Sequence, residues 1–266
     1  MQAQFSLTPS ESKRLIGMAV AQHVKVKKAL KSGIVAVGLG STNAFVVEEI
    51  LKKRIDKERY VAGFLDEKGP CVVHQKNRLP EVVLKNGKMI DEEPGEIVKK
   101  MGAGDVFIKG ANALDFNGVA GVMMASETGG TIANVLGIIK ARGINFIIPV
   151  GLEKLIPYSI YDVSNAAGIF KTDSSIGIPV GVMPASGEVI TEIEALENFG
   201  VSALVIGSGG LGEGEASKVF LIEGEKKDVN ITLGIIRKIK GEKRVEALRG
   251  ACNTCGYKHC PNMGKR

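Results

Sequence analysis

The chain has 266 residues, 44% of them hydrophobic and 24% charged, enough to bury the core of one large domain or two modest ones. With 34 glycines and no tryptophan it fits a glycine-rich α/β protein better than an all-helical one, and no apolar run reaches the length of a membrane helix. A net charge of +6 favours anionic partners such as phosphate esters, coenzyme A or nucleic acid, although a solvated lysine-rich surface is the plainer explanation.

The N-terminal stretch "MQAQFSLTPSESKRLIG" lacks a charged-then-apolar leader pattern, so a cytoplasmic location is expected. "LTPSESKRLIGMAVAQHVKVKKALKSG" predicts a helix, with Thr8 as its cap, Pro9 in the first turn, Glu11 completing a capping box and Gly33 as its stop. "IVAVG" is a short continuous apolar run, as expected of a strand buried on both faces. "NAFVVEEILKKRI" has helical spacing, and "RYVAGFLD" predicts a second strand. Between about Lys68 and Pro94 the texture changes, and Asn86-Gly87 between two strand-like runs signals a hairpin. This stretch is expected to stand off the α/β core.

"GEIVKKM" predicts a short helix, "DVFIKGANAL" and "GVAGVMMA" strands, "TIANVLGIIKARG" a helix and "INFIIPVG" a strand. Strands alternating with helices predict a mostly parallel, Rossmann-like sheet with helices on both faces. From Ile178 the order becomes βαββα, a small α+β unit that packs as a lid or as a dimer surface, so a homo-oligomer is expected. The expected domains are residues 1–177 as ligand-binding core, 178–242 as lid and 243–266 as a cysteine-rich tail.

The turn Gly38-Leu39-Gly40-Ser41-Thr42-Asn43 lies between a strand and a helix. Glycines let a ligand approach the backbone, first-turn amides point at it, and the Ser41 and Thr42 hydroxyls add donors; together they make an anion site. The Gly-Lys-Ser/Thr ending of triphosphate loops is absent. The dinucleotide fingerprint wants a third small residue at Asn43 or Ala44 and an acid after the next strand, for which Asp66 is available. An NAD(P)-dependent oxidoreductase is therefore one alternative, and simple helix capping by Ser41 or Thr42 is another.

The leading helix followed by "GIVAVGLGSTNAFVVEEI" resembles the N-terminus of ribose-5-phosphate isomerase A, and "DVFIKGANAL" is similar to that family's later strand ending in Lys-Gly. "IKGANALDFNGVAGVMMASETGGTIANVLGIIKARGINFIIPV" is similar to methylthioribose-1-phosphate isomerase and its initiation-factor relatives. These belong with glucosamine-6-phosphate deaminase and coenzyme A transferases in one broad superfamily, and the resemblance spans Thr8 to Glu242. It implies a phosphate of a sugar or of coenzyme A held by Gly38, Gly40, Ser41, Thr42 and Asn43, with Lys109 and Gly110 bordering the same pocket. Catalytic carboxylates are sought by the same comparison. The isomerase glutamate follows the Lys-Gly motif, where Asp115 is the nearest acid, and the transferase nucleophile sits in a Ser-Glu-x-Gly setting, matched by Ser126-Glu127-Thr128-Gly129. Glu127 is the first candidate for base or nucleophile, with Asp115 second; Glu127 equally suits the start of the next helix. A fold resemblance does not fix a reaction, so an isomerase, an acyl or coenzyme A transferase and a non-catalytic ligand sensor all stand.

"RGACNTCGYKHCPNMGKR" closes the chain and holds three of its four cysteines. Crowded cysteines of this kind suggest metal or redox chemistry. Zinc would take Cys252, Cys255, Cys260 and either His259 or the distant Cys71. An iron–sulfur cluster is comparably supported by the three close cysteines and the Cys260-Pro261 ending. One aromatic residue, Tyr257, is thin support for nucleic-acid binding, which is not expected.

Overall fold

The computed structural model describes residues 1–262. Strand β1 (Gln2–Leu7) opens it, its odd-numbered members turned inward, and leads directly into α1 (Pro9–Gln22). The capping box forms as the sequence predicts: the Glu11 amide donates to Thr8 Oγ1 at 3.4 Å and the Thr8 amide donates to Glu11 Oε2 at 2.9 Å. The single helix expected up to Gly33 is two. His23 takes extended backbone angles, and α2 (Val24–Ser32) restarts beyond it.

β2 (Ile34–Val37) is buried along its whole length and feeds α3 (Ser41–Leu51). A hairpin of β3 (Gly63–Asp66) and β4 (Gly69–Val72) follows, then a second of β5 (Val82–Lys85) and β6 (Lys88–Ile90). Asn86 and Gly87 have φ of 50° and 76°, the paired left-handed angles of a type I′ turn, and Lys85 faces Lys88 across it. The chain continues through α4 (Pro94–Ile97), β7 (Val106–Ile108), β8 (Ala113–Leu114), β9 (Ala120–Met124), α5 (Gly130–Arg142) and β10 (Asn145–Pro149). The last part contains α6 (Ile160–Ala166), β11 (Gly181–Ala185), β12 (Glu188–Ile190), α7 (Glu192–Glu197), β13 (Ser202–Gly209), β14 (Ser217–Glu223) and α8 (Lys226–Ile239).

The central sheet is mixed and six-stranded, in the order β12-β10-β7-β2-β5-β6. β12, β10, β7 and β2 run parallel, and β5 is antiparallel to β2. Alternate residues of β2 go to opposite layers: Val35 and Val37 pack with Leu15, Val46 and Val47 of α1 and α3, while Ala36 packs with Ile132, Val135 and Ile139 of α5. Burial of apolar side chains on both faces explains why β2, β7 and β10 read as continuous apolar runs.

Two expectations change. The stretch from Lys68 to Pro94 does not stand off as a whole, because β5 hydrogen-bonds to β2 and extends the sheet, leaving only the β3–β4 hairpin outside it. The βαββα run does not form one unit either: β11 pairs with β9, β12 joins β10, and β13 and β14 pair with each other. β14 takes β1 on its other edge, with Phe5 opposite Phe220 and their rings stacked at 5.8 Å. Except for the β13–β14 hairpin, each of these strands takes a partner distant in sequence, which local patterning does not encode. Among the described residues no helix is long and apolar enough to cross a membrane.

Candidate functional site

The parallel strands β2, β7 and β10 end at one edge of the sheet, where ligands bind in folds of this kind. Three loops leave that edge. The first is Gly38–Gly40, before α3. Gly38 donates its amide to Ile108 O at 2.9 Å, and Gly40 donates to Tyr60 O at 2.9 Å. The buried Tyr60 hydroxyl donates to Val37 O and accepts from the Val82 amide, fixing the loop from below. A Cβ at Gly38 would lie 2.9 Å from Lys109 Cδ and push that side chain aside.

Helix α3 starts at Gly40 with no side-chain cap. Its first backbone bond runs from the Ala44 amide to Gly40 O, which leaves the amides of Ser41, Thr42 and Asn43 ahead of the helical ladder. Asn43 is fully buried and donates from Nδ2 to Gly38 O at 2.7 Å. Thr42 is 2% exposed and its hydroxyl has no partner, although it lines the cavity beside the loop. An uncapped helix start and an unpartnered buried hydroxyl thus present donors at one spot.

The second loop brings Lys109, Gly110 and Asn112, and the third brings Lys154, to the same cavity of about 130 Å³. Lys109 Nζ lies 3.4 Å from Leu39 O; burial pushes its pKa down, opposed by the charge of Glu81. Glu81 accepts the Leu39 amide at 3.0 Å, and its own burial pushes its pKa up. Lys154 donates to Ala111 O at 2.9 Å, and burial brings its pKa down to about 8. The residues lining this cavity include two lysines and no carboxylate. A larger adjoining cavity of about 740 Å³ shares Leu39 and Lys109 with it and carries Glu81, Asp91, Glu92 and Glu93.

Behind Lys154 lies a buried acidic pair. Glu192 is fully buried and accepts the Leu152 amide at 2.9 Å; burial, and then the charge of Glu153, raise its pKa to about 7. The two Glu153 oxygens are buried without hydrogen bonds, and the nearest ammonium, that of Lys13, is 3.8 Å away.

Of the residues singled out in the sequence, Gly40, Ser41, Thr42, Lys109 and Gly110 line the small cavity, and Gly38 and Asn43 hold the loop beside it. Lys154 was missed: Lys109 directly follows β7, whereas Lys154 lies past the end of β10 on the turn Leu152–Lys154, and only its place in the loop leaving a parallel strand could have pointed to it. The two candidate carboxylates lie elsewhere. Asp115 is 2% exposed, and its oxygens accept the amides of Asn117, Val119 and Ile160 at 2.9–3.0 Å, so it organises a loop. Those hydrogen bonds outweigh burial and keep its pKa low. Glu127 is exposed and accepts from His259 Nε2 at 2.5 Å, which lowers its pKa. Asp66, the acid available to a dinucleotide ribose, is paired with Arg249 instead.

Cys252, Cys255 and Cys260 line a further cavity together with Cys71 of β4. His259 does not line it; its ring meets Phe170 edge-on, with centroids 5.0 Å apart. Residues 263–266, the end of the expected tail domain, lie outside the described residues. No protein-family model matches the chain, and no curated protein matches it.

Proposed function

We propose that the chain binds a small phosphorylated molecule at the Gly38–Asn43 turn, with Lys109 and Lys154 as its counter-charges. One observation carries this reading: the cavity at the turn is lined by two lysines, the Ser41 and Thr42 hydroxyls and Asn112, with no carboxylate among its lining residues. A dianion would accept the unpartnered Thr42 hydroxyl and first-turn amides of α3 while standing between two ammonium groups. The space of about 130 Å³ suits a phosphoryl group with little attached, which favours a sugar phosphate over a coenzyme A ester. The adjoining carboxylate-lined cavity would then take the hydroxyls of the same ligand. In this reading the four parallel strands are the Rossmann-like core, and β13, β14 and α8 take the place of the lid.

Lys154 is the group best suited to chemistry. A pKa of about 8 gives it both protonation states near neutrality, so it can move a proton to or from a substrate carbon or hydroxyl, as an isomerase requires. A binder without turnover is the second reading. It is favoured by the absence of a carboxylate in the small cavity, since Glu127 and Asp115 are both engaged elsewhere.

The test is thermal-shift and calorimetric titration with inorganic phosphate, ribose 5-phosphate and acetyl-coenzyme A. Ribose 5-phosphate is expected to raise Tm, and Thr42→Val and Lys109→Met are each expected to weaken binding on the order of tenfold. No shift with any phosphorylated compound would overturn the reading. Turnover of a bound sugar phosphate that survives Lys154→Met unchanged would remove Lys154 from the chemistry.

A further inference from the structure

The cysteines of the tail fold back onto the body of the protein. Arg249 pairs with Asp66 and donates from Nη2 to Gly69 O at 3.1 Å, both in the β3–β4 hairpin. Its guanidinium also lies over the Phe64 ring, 5.5 Å from the centroid. Two tight turns follow: the Cys255 amide donates to Cys252 O at 3.3 Å, and the Cys260 amide donates to Tyr257 O at 3.1 Å. The result places Cys252, Cys255 and Cys260 around one cavity of about 700 Å³ that Cys71, far away in sequence, also lines. All four thiols are free, and each residue is partly buried.

The surroundings suit an anionic metal–thiolate centre. The lining of this cavity has no carboxylate, and Arg78 and Arg249 supply positive charge. The room between the thiols favours a cluster over one ion. Zinc draws four sulfurs to about 2.3 Å from a single point. A cavity of about 700 Å³ lined by four cysteines has room for a body with several metal corners, each taking one thiolate. His259, the other fourth ligand weighed from the sequence, is turned to Glu127 instead.

We propose that Cys71, Cys252, Cys255 and Cys260 ligate an iron–sulfur cluster of the four-iron type. The site is independent of the phosphate reading, and its test does not use a phosphorylated ligand. The full chain, purified without oxygen and reconstituted with ferrous iron and sulfide, is analysed for iron, zinc and acid-labile sulfide, with visible and electron paramagnetic resonance spectra before and after reduction. About four irons and four sulfides per chain are expected. Cys71→Ala is expected to lose the cluster as fully as Cys252→Ala, whereas His259→Ala keeps it. Should the alanine variants fold poorly, alkylation of the loaded wild-type protein, mapped by mass spectrometry, reads the same ligand set: all four cysteines are protected together and become reactive together on chelation. A single zinc without sulfide, a protein that takes up no metal, a full cluster in Cys71→Ala, or a Cys71 alkylated while the other three are protected would each overturn the proposal.

Discussion

His259 and Glu127, 132 residues apart, meet through a 2.5 Å contact between Nε2 and Oε1. In the sequence each is a candidate for a different site, one for metal and one for catalysis. Paired, each satisfies the other at the surface, and neither reaches the cavity it was considered for. Glu127→Gln is therefore expected to leave phosphate-ester affinity unchanged within about twofold, the scale of an exposed pair. Isothermal titration of the variant against the parent protein checks this, and a tenfold loss would return Glu127 to the site.

Lys154 is expected to make ligand binding depend on pH. Its ammonium is mostly charged at pH 7 and half charged at about pH 8, because burial lowers its pKa. Affinity for a phosphate dianion is expected to fall as pH rises through 8, on the order of tenfold for the lost charge. In Lys154→Met the affinity should already be low at pH 7, and the fall centred near pH 8 should be absent. A wild-type profile as flat as that of the variant would separate Lys154 from the ligand.

The pair Glu192 and Glu153 gives stability a slope of opposite kind to that of an ordinary salt bridge. The folded-state pKa of Glu192 is raised to about 7, from an ordinary value of 4.5. Between those values the folded chain binds more protons at this group than the unfolded one, so the contribution of Glu192 to stability is greatest below pH 4.5 and falls as pH rises through 7. Glu192→Gln should remove that fall, which is on the order of 1–3 kcal/mol. Urea unfolding of both proteins between pH 4.5 and 7.5 measures the difference, and parallel profiles would refute it.

Arg14 ties three parts of the chain. It is 5% exposed and reaches Glu48 at 2.5 Å, Glu49 at 2.8 Å and Glu242 at 2.8 Å, while its guanidinium covers the Phe45 ring. Burial pushes Glu48 up, but the bonds from Arg14 and the Ile55 amide leave its pKa below the ordinary range. The network therefore stabilises the fold above the ordinary carboxylate pKa and loses that contribution as pH falls. Arg14→Met would strand two buried carboxylates and is expected to cost about 3 kcal/mol, readable as a lower urea midpoint. A change below about 0.5 kcal/mol would mean that Arg54 and Lys57, which also contact Glu48 and Glu242, carry the pair alone.

What the sequence discloses is largely what is local. The Thr8–Glu11 box, the Asn86-Gly87 turn and the buried run of β2 follow from residues within a few positions of each other, and each forms as read. β1 went unread although Ala3, Phe5 and Leu7 alternate. Its meaning as a strand comes from Phe220 and its neighbours on β14, more than 200 positions later by the register Phe5↔Phe220. The break at His23 has no glycine or proline to announce it. For the site, the Gly-Ser-Thr turn and Lys109 are legible from strand-end position, whereas the engagement of Asp115 by three amides and the meeting of Cys71 with the tail belong to tertiary structure.

The β3–β4 hairpin separates two compartments. Phe64, Leu65 and Pro70 face the small cavity, and Cys71 and Val72 border both that cavity and the one ringed by thiols. Arg249 grips the hairpin at Asp66 and Gly69 from the tail side. The last segment of the chain thus acts as a strut under a partition wall. A protein clipped after Glu242 would keep every strand of the central sheet, yet it would lose the brace that holds one side of its small chamber in place.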